Sequence, residues 1–219
     1  MEKMTTYACV PVGMLESNSY ILRDEATGAL ALIDCGVFNK AVREAVAARG
    51  GDLRYILLTH GHFDHIQGAA AAKEAYPAAR IGISEEDAAY LRGEADSLPG
   101  RVSRHKSPAE PDLSLRGGDE LALGESRLRV LHTPGHTRGG LCFCAGADRL
   151  LFTGDTLFFE EVGRADLPGG DWEALQASIR GLYALPGDYA VLPGHGPAST
   201  LDHERRENPY VKEARKEEL

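Results

Sequence analysis

The chain has 219 residues, 43% hydrophobic and 26% charged, the composition of one globular domain with a sizeable core rather than a disordered segment. A formal charge of −9 gives no basic surface for a polyanion and argues against nucleic acid as a partner. No stretch approaches the roughly 20 apolar residues of a membrane span, residues 1–10 lack a secretory pattern, and four cysteines are too few for a disulfide scaffold; together these predict a cytoplasmic protein away from membranes.

Residues 7–12, 19–23 and 30–33 read as short strands, and Asp24-Glu25-Ala26-Thr27-Gly28 supplies turn chemistry between the last two. An antiparallel opening is expected. Asp34-Cys35-Gly36 ends the third strand, and residues 38–49 carry the helical spacing of Val42, Ala45 and Val46 before Gly50-Gly51 stops it. Asp34 is either a turn residue or a carboxylate that orients a metal-bound histidine, and the residues leave both open. The apolar strand 54–58 then runs into Thr59-His60-Gly61-His62-Phe63-Asp64-His65.

A helix is predicted over 65–75 and a strand over 80–84. Ser84-Glu85-Glu86-Asp87 opens another helix to about Leu91, its acidic residues favourable against the helix dipole. Residues 93–118, with Pro99, Pro108 and Pro111, show no sustained periodicity. A loop of that length in a compact domain is commonly functional, so part of it is expected to cover the active site, with His105 exposed on it.

Residues 120–123 and 127–131 form an expected hairpin that leads into His132-Thr133-Pro134-Gly135-His136-Thr137. Strands at 141–145 and 150–152 follow, the second ending at Thr153-Gly154-Asp155-Thr156, and Cys142 and Cys144 read as small core residues of the first. Residues 157–170 are irregular and contain Gly163-Arg164-Ala165-Asp166. Asp171 caps a helix to about Tyr183, with Leu175, Ile179 and Leu182 at core spacing and Trp172 as a core anchor. A last strand, 189–192, meets Pro193-Gly194-His195-Gly196-Pro197, and a charged helix closes the chain.

A single pattern repeats at His60, His136, Asp155 and His195: a short apolar strand, a glycine-containing turn, then a residue able to bind metal. If the strands are neighbours with their C-terminal ends on one side, all four junctions open onto one edge. His60 and His62 are two apart on extended backbone and share a face. His60, His62 and His136 can hold one divalent ion and Asp64, His65 and His195 a second, with Asp155 placed to bridge. Zinc suits these donors best, and iron and manganese are compatible. Two such ions would generate hydroxide near neutral pH and stabilise an oxyanion, with Asp64 able to take a proton from the attacking water. No Ser-His-Asp triad or reactive cysteine competes. His132 fits no junction and reads as structural, and His203 as solvent-facing. Arg164 either binds a substrate carboxylate with two hydrogen bonds or pairs with Asp166.

These residues resemble the metallo-β-lactamase superfamily. His60-Gly61-His62-Phe63-Asp64-His65 matches its His-x-His-x-Asp-His signature, and His136, Asp155 and His195 match its later ligands in order. The resemblance implies an α/β, four-layer αββα sandwich of two mixed sheets with the metals at one end, in a single domain over residues 1–219. Thr153-Gly154-Asp155-Thr156-Leu157-Phe158 followed by Gly163-Arg164-Ala165-Asp166 is similar to the glyoxalase II group and its short bacterial members, which implies a hydrolase using a metal-bridging hydroxide to cleave a small-molecule thioester of the S-lactoylglutathione type. Classical members add a C-terminal helical domain that binds glutathione, whereas 24 residues follow His195 here, so another small thiol stays open. The runner-up is a persulfide dioxygenase, a family that shares the ligands and a Gly-Arg-x-Asp segment but uses a single iron.

Overall fold

The computed structural model describes residues 4–95 and 108–211. His105 and part of the expected 93–118 loop lie outside the described residues. The chain opens with β1 (Thr5–Val12), β2 (Ser17–Asp24) and β3 (Ala29–Ile33), each antiparallel to the one before. Helix α1 (Lys40–Arg49) then crosses over to β4 (Asp52–Leu57), which lies parallel to β3. Asn39 caps α1 by accepting from the amide of Val42, and Val42 and Val46 face inward.

The expected helix over 65–75 is two pieces, α2 (Phe63–Ile66) and α3 (Ala69–Ala75), with the break at Gly68. Its amide donates to Cys35 O at 2.7 Å, and a Cβ at this position would come within 2.5 Å of the Phe38 nitrogen. Close approach of two backbones, invisible in the helical spacing, interrupts the helix. Parallel strands β5 (Arg80–Ser84) and β6 (Leu113–Leu115) complete a six-stranded first sheet in the order β1-β2-β3-β4-β5-β6. Between them, among the described residues, lie the 3₁₀ turn Glu85–Asp87 and α4 (Ala88–Leu91).

The second sheet collects β7 (Glu120–Leu123), β8 (Ser126–His132), β9 (Leu141–Ala145), β10 (Leu150–Gly154), β13 (Ala190–Pro193) and β14 (Ser199–Thr200), in the order β14-β13-β10-β9-β8-β7. Strands β10 and β13 are parallel, joined through α5 (Trp172–Tyr183), and the other neighbours are antiparallel. The stretch 157–170, expected to be irregular, contains a two-stranded hairpin of β11 (Leu157–Phe158) and β12 (Glu161–Val162). Helix α6 (Leu201–Glu207) follows β14, capped by Thr200.

Alternation along the strands builds the layers. In β2, Tyr20 and Leu22 face the second sheet while Ile21 faces α1; in β10, Leu150 and Phe152 face the first sheet while Leu151 faces α5. Three apolar layers result: Val42, Val46, Ile56 and Ile66 under the first helices, Leu57, Val130, Phe143 and Phe152 between the sheets, and Leu151, Leu175, Ile179 and Val191 under α5. This is the α/β sandwich of two mixed sheets flanked by helices that the motif resemblance implied. Trp172 is a correction: as the first residue of α5 it stays 43% exposed, and Leu175, Ile179 and Leu182 form the core face. No helix among the described residues is long and apolar enough to cross a membrane.

Candidate metal centre

The two sheets meet at the C-terminal ends of β4, β8, β10 and β13. Backbone bonds cross between them there, from Leu141 N to Thr59 O at 2.7 Å and from Asn18 N to Gly194 O at 2.7 Å. Each of the four strands runs out into a turn at this rim, so its next polar side chain is presented to the same space.

All seven expected ligands converge. His60, His62 and His136 place one nitrogen each within 4.8 Å of one another, and Asp64, His65 and His195 do the same with one ligand atom each. His62 enters through Nδ1, 2.8 Å from His136 Nε2, whereas His65 and His195 face each other through Nε2 at 3.2 Å. Asp155 stands between the two sets: Oδ2 lies 3.4 Å from His136 Nε2 and 3.7 Å from His195 Nε2, and Oδ1 lies 3.4 Å from His65 Nε2. Asp64 Oδ2 sits 3.2 Å from His195 Nε2 and 3.4 Å from His65 Nε2. Gly194 admits this crowding, since a Cβ there would lie 2.2 Å from Asp155 Oδ1 and 2.9 Å from His65 Cε1.

The far nitrogens of His60, His65, His136 and His195 are held from behind, which fixes tautomer and orientation. His65 Nδ1 lies 2.9 Å from Asp34 Oδ2, and Asp34 also accepts from Thr59 N at 2.7 Å and from Thr59 Oγ1 at 2.8 Å. Thr59 Oγ1 is in turn 3.0 Å from His60 Nδ1. Asp34 therefore serves both the turn and the histidines. It does so at φ 54°, left-handed backbone that Asp tolerates better than most residues. His136 Nδ1 meets Arg164 O at 2.7 Å and His195 Nδ1 meets Leu15 O at 2.9 Å. Backbone carbonyls leave no mark in a sequence, and these two partners could not have been read from it.

Burial and the surrounding rings, His65 and His62 foremost, push His60 well below the ordinary histidine range. Burial and His136 press His62 down to about 3, against the opposing pull of Asp155 and Asp64. Burial would lower His65 too, but Asp155, Asp34 and Asp64 outweigh it and hold the ring well above its usual value. Asp64 is raised by burial and brought back well below the carboxylate range by His65 and His195. His60 and His62 are thus held as neutral imidazoles, the ligand form, whereas Asp64 and His65 make a carboxylate-imidazolium pair whose proton a cation would displace.

The donor set fits divalent ions. Among the described residues, His60 Nε2, His62 Nε2 and Asp155 Oδ1 are buried with no hydrogen-bond partner. Two of these three, His60 Nε2 and Asp155 Oδ1, belong to groups whose ligand atoms converge with His65 within 4.8 Å. Buried polar atoms are rarely left unmatched without a ligand or function.

Beside the centre opens a cavity of about 450 Å³, walled by Phe158, Phe159, Val162, Arg164 and Pro197 and floored by His136, Asp155 and His195. Arg164 lies on this wall, but its guanidinium grips Asp166 in two bonds of 2.8 and 2.7 Å. His132 is placed apart from the centre, with Nε2 3.1 Å from Arg138 O. His203, expected to face solvent, is partly covered: its ring stacks on Phe159 at 5.2 Å and Nε2 meets Glu160 Oε1 at 2.9 Å. The hairpin of β11 and β12, unseen in the sequence, brings these partners to it.

A family model described as the metallo-beta-lactamase superfamily matches residues 12–195. A protein of Streptococcus pyogenes named a probable metallo-hydrolase is 37% identical over 203 residues, covering 89% of this chain and 85% of that one. The hydroxyacylglutathione hydrolase GloC of Haemophilus influenzae is 33% identical over 208 residues, covering 92% and 96%. Among solved structures, BLEG-1 B3 metallo-beta-lactamase superposes with a TM-score of 0.84 at 30% identity, over 94% of this chain and 99% of that one. TTHA1623 in a di-iron-bound form gives 0.82 at 35%, over 93% and 100%, and ETHE1 from Myxococcus xanthus gives 0.75 at 28%, over 93% and 83%.

Proposed function

Because the chain belongs to the metallo-beta-lactamase superfamily, we propose that it is a two-metal hydrolase of small-molecule thioesters, acting on substrates of the S-lactoylglutathione type. The observation that carries the reading is the position of Asp155, with one oxygen toward His136 and His195 and the other toward His65. A carboxylate shared in this way suits two cations, with Asp64, His65 and His195 gathered as a second set beside His60, His62 and His136. The name of the Haemophilus influenzae relative supports a thioester substrate.

His60, His62 and His136 would hold one ion, and Asp64, His65 and His195 the other. When bound, the ions supply Lewis acidity, making water a nucleophile near neutral pH and stabilising negative charge on a carbonyl oxygen. The chain's own residues do the rest. Asp64, partly exposed beside His195, accepts a proton from the attacking water. Phe158, Phe159 and Val162 shield the reacting bond from bulk solvent and give the substrate an apolar wall. Asp34, Thr59 and the Arg164 carbonyl keep the rings from turning.

Elemental analysis of protein purified without chelators, alongside hydrolysis of S-lactoylglutathione followed by thiol release, tests this. About two equivalents of zinc, iron or manganese with thiol release are expected. One equivalent of iron, no thiol release, and oxygen uptake with a glutathione persulfide would instead establish the dioxygenase reading.

A further inference from the structure

We infer that Asp87 is a positioning residue for the three-histidine half of the centre, a carboxylate that sets the distance between His62 and His136 without touching metal or substrate. The inference rests on the metal centre proposed above. Asp87 is 1% exposed, ends the 3₁₀ turn Glu85–Asp87 and does not line the cavity. Its Oδ2 accepts from Gly61 N at 2.9 Å and from Thr137 Oγ1 at 2.7 Å, and its Oδ1 accepts from Gly139 N at 3.0 Å.

Gly61 separates His60 from His62 and belongs to the turn after β4, in the first sheet. Thr137 and Gly139 follow His136 in the loop between β8 and β9, in the second. A single carboxylate oxygen is therefore shared by the two turns whose histidines meet at 2.8 Å. Charge-assisted bonds of this kind are about twice as strong as neutral ones and fix geometry accordingly. Glycine at 139 allows the approach, since a Cβ there would lie 2.7 Å from the Asp87 carboxyl carbon. The other half of the centre is held by a separate set: Ser17 Oγ donates to Asp64 O at 2.6 Å, and Asn18 Nδ2 donates to Pro193 O and Gly196 O at 3.0 Å, on either side of His195. Because the two clamps share no residue, loss of Asp87 should fall on one ion and spare the other.

Apo-protein would be titrated with zinc in competition with a chromophoric chelator, and with Co(II) to record the visible bands of each site. In Asp87→Asn, where one acceptor oxygen becomes a donor, affinity should fall about 10–100-fold at one of the two steps, with a changed Co(II) spectrum for that step. The loss should persist when His195→Ala removes the other half. Asp24→Asn is the control, because Asp24 joins the same two sheets at the opposite end through Ser126 N, Ser126 Oγ and Thr27 N. It should lower Tm and leave both metal steps unchanged. Wild-type affinity at both steps in Asp87→Asn, or equal losses in both variants, would overturn the inference. Should Asp87→Asn fail to fold, Thr137→Val, which removes a single bond to Asp87, carries the same expectation at the same step. A wild-type protein that takes up no ion would overturn the metal centre itself, a result distinct from unchanged affinity in the variant.

Discussion

Asp155 and Asp24 are both acidic residues set between the sheets, and their environments give them opposite tasks. Asp155 faces four histidine rings and keeps a buried oxygen unmatched, so Asp155→Ala should abolish turnover and leave less than one metal equivalent per chain by elemental analysis. Full metal content in that variant would refute the bridging role. Asp24 is matched completely. Burial would raise its pKa, but bonds from Ser126 and Thr27 outweigh burial and hold it at about 2, below the ordinary carboxylate value. A depressed folded-state pKa means that its contribution to stability is present above about pH 4 and fades as pH falls toward 2. Asp24→Asn, which strips acceptors from buried donors, should cost about 1–3 kcal/mol at neutral pH. The Tm gap between the variant and wild type should close on acidification through that window; a gap constant from pH 6 to pH 2 would contradict the assignment.

Helix α5 shows how an element's amphipathic face is decided by its sheet as well as its sequence. Leu175 is fully buried beneath it and Trp172 is not, although both share the same helical spacing. Leu175→Ala should cost about 2–5 kcal/mol, and Trp172→Ala markedly less, as read by chemical denaturation. Elements with a strong local code were legible in advance: the Asp171 cap, the hairpins of β2 with β3 and of β7 with β8, and the strand-turn junctions at His60, His136, Asp155 and His195, where the chemistry of metal binding limits the choice of residue. Features that depend on what lies across the fold were not. Gly68 breaks a helix because the backbone near Cys35 and Phe38 crowds it, His203 is covered by a hairpin distant in sequence, and Asp87 looks like one of three acidic residues at a helix start. Only its burial, set by Gly61, Thr137 and Gly139, separates it from Glu85 and Glu86. The seven residues that converge at the centre were readable because they cluster at strand ends, whereas the carbonyls of Arg164 and Leu15 that steady two of them carry no side-chain signature.

The two sheets take contiguous halves of the chain, β1 to β6 and then β7 to β10 with β13 and β14, and the centre draws His60, His62, Asp64 and His65 from the first half and His136, Asp155 and His195 from the second. Stripping metal should loosen this rim selectively. Hydrogen exchange is expected to quicken at the amides of Asn18 and Leu141, which cross between the sheets beside the centre, and to stay unchanged at Ser126, anchored by Asp24 at the opposite end. Equal exchange changes at both ends would show that the ions stabilise the whole sandwich evenly.

Seen as a polymer, the chain is tied by this centre into a closed ring, for His65 and His195 meet 130 positions apart. Lengthening such a ring is entropically mild, about 0.6 kcal/mol for each doubling, so the great separation is little obstacle to the knot. Its effect lies in what the knot requires. Ions that bind only the native arrangement stabilise it by mass action, and here that arrangement exists only when both halves have found each other in register. Metal content would therefore double as a certificate of correct assembly: a chain with slipped halves, however compact, would come off a column empty.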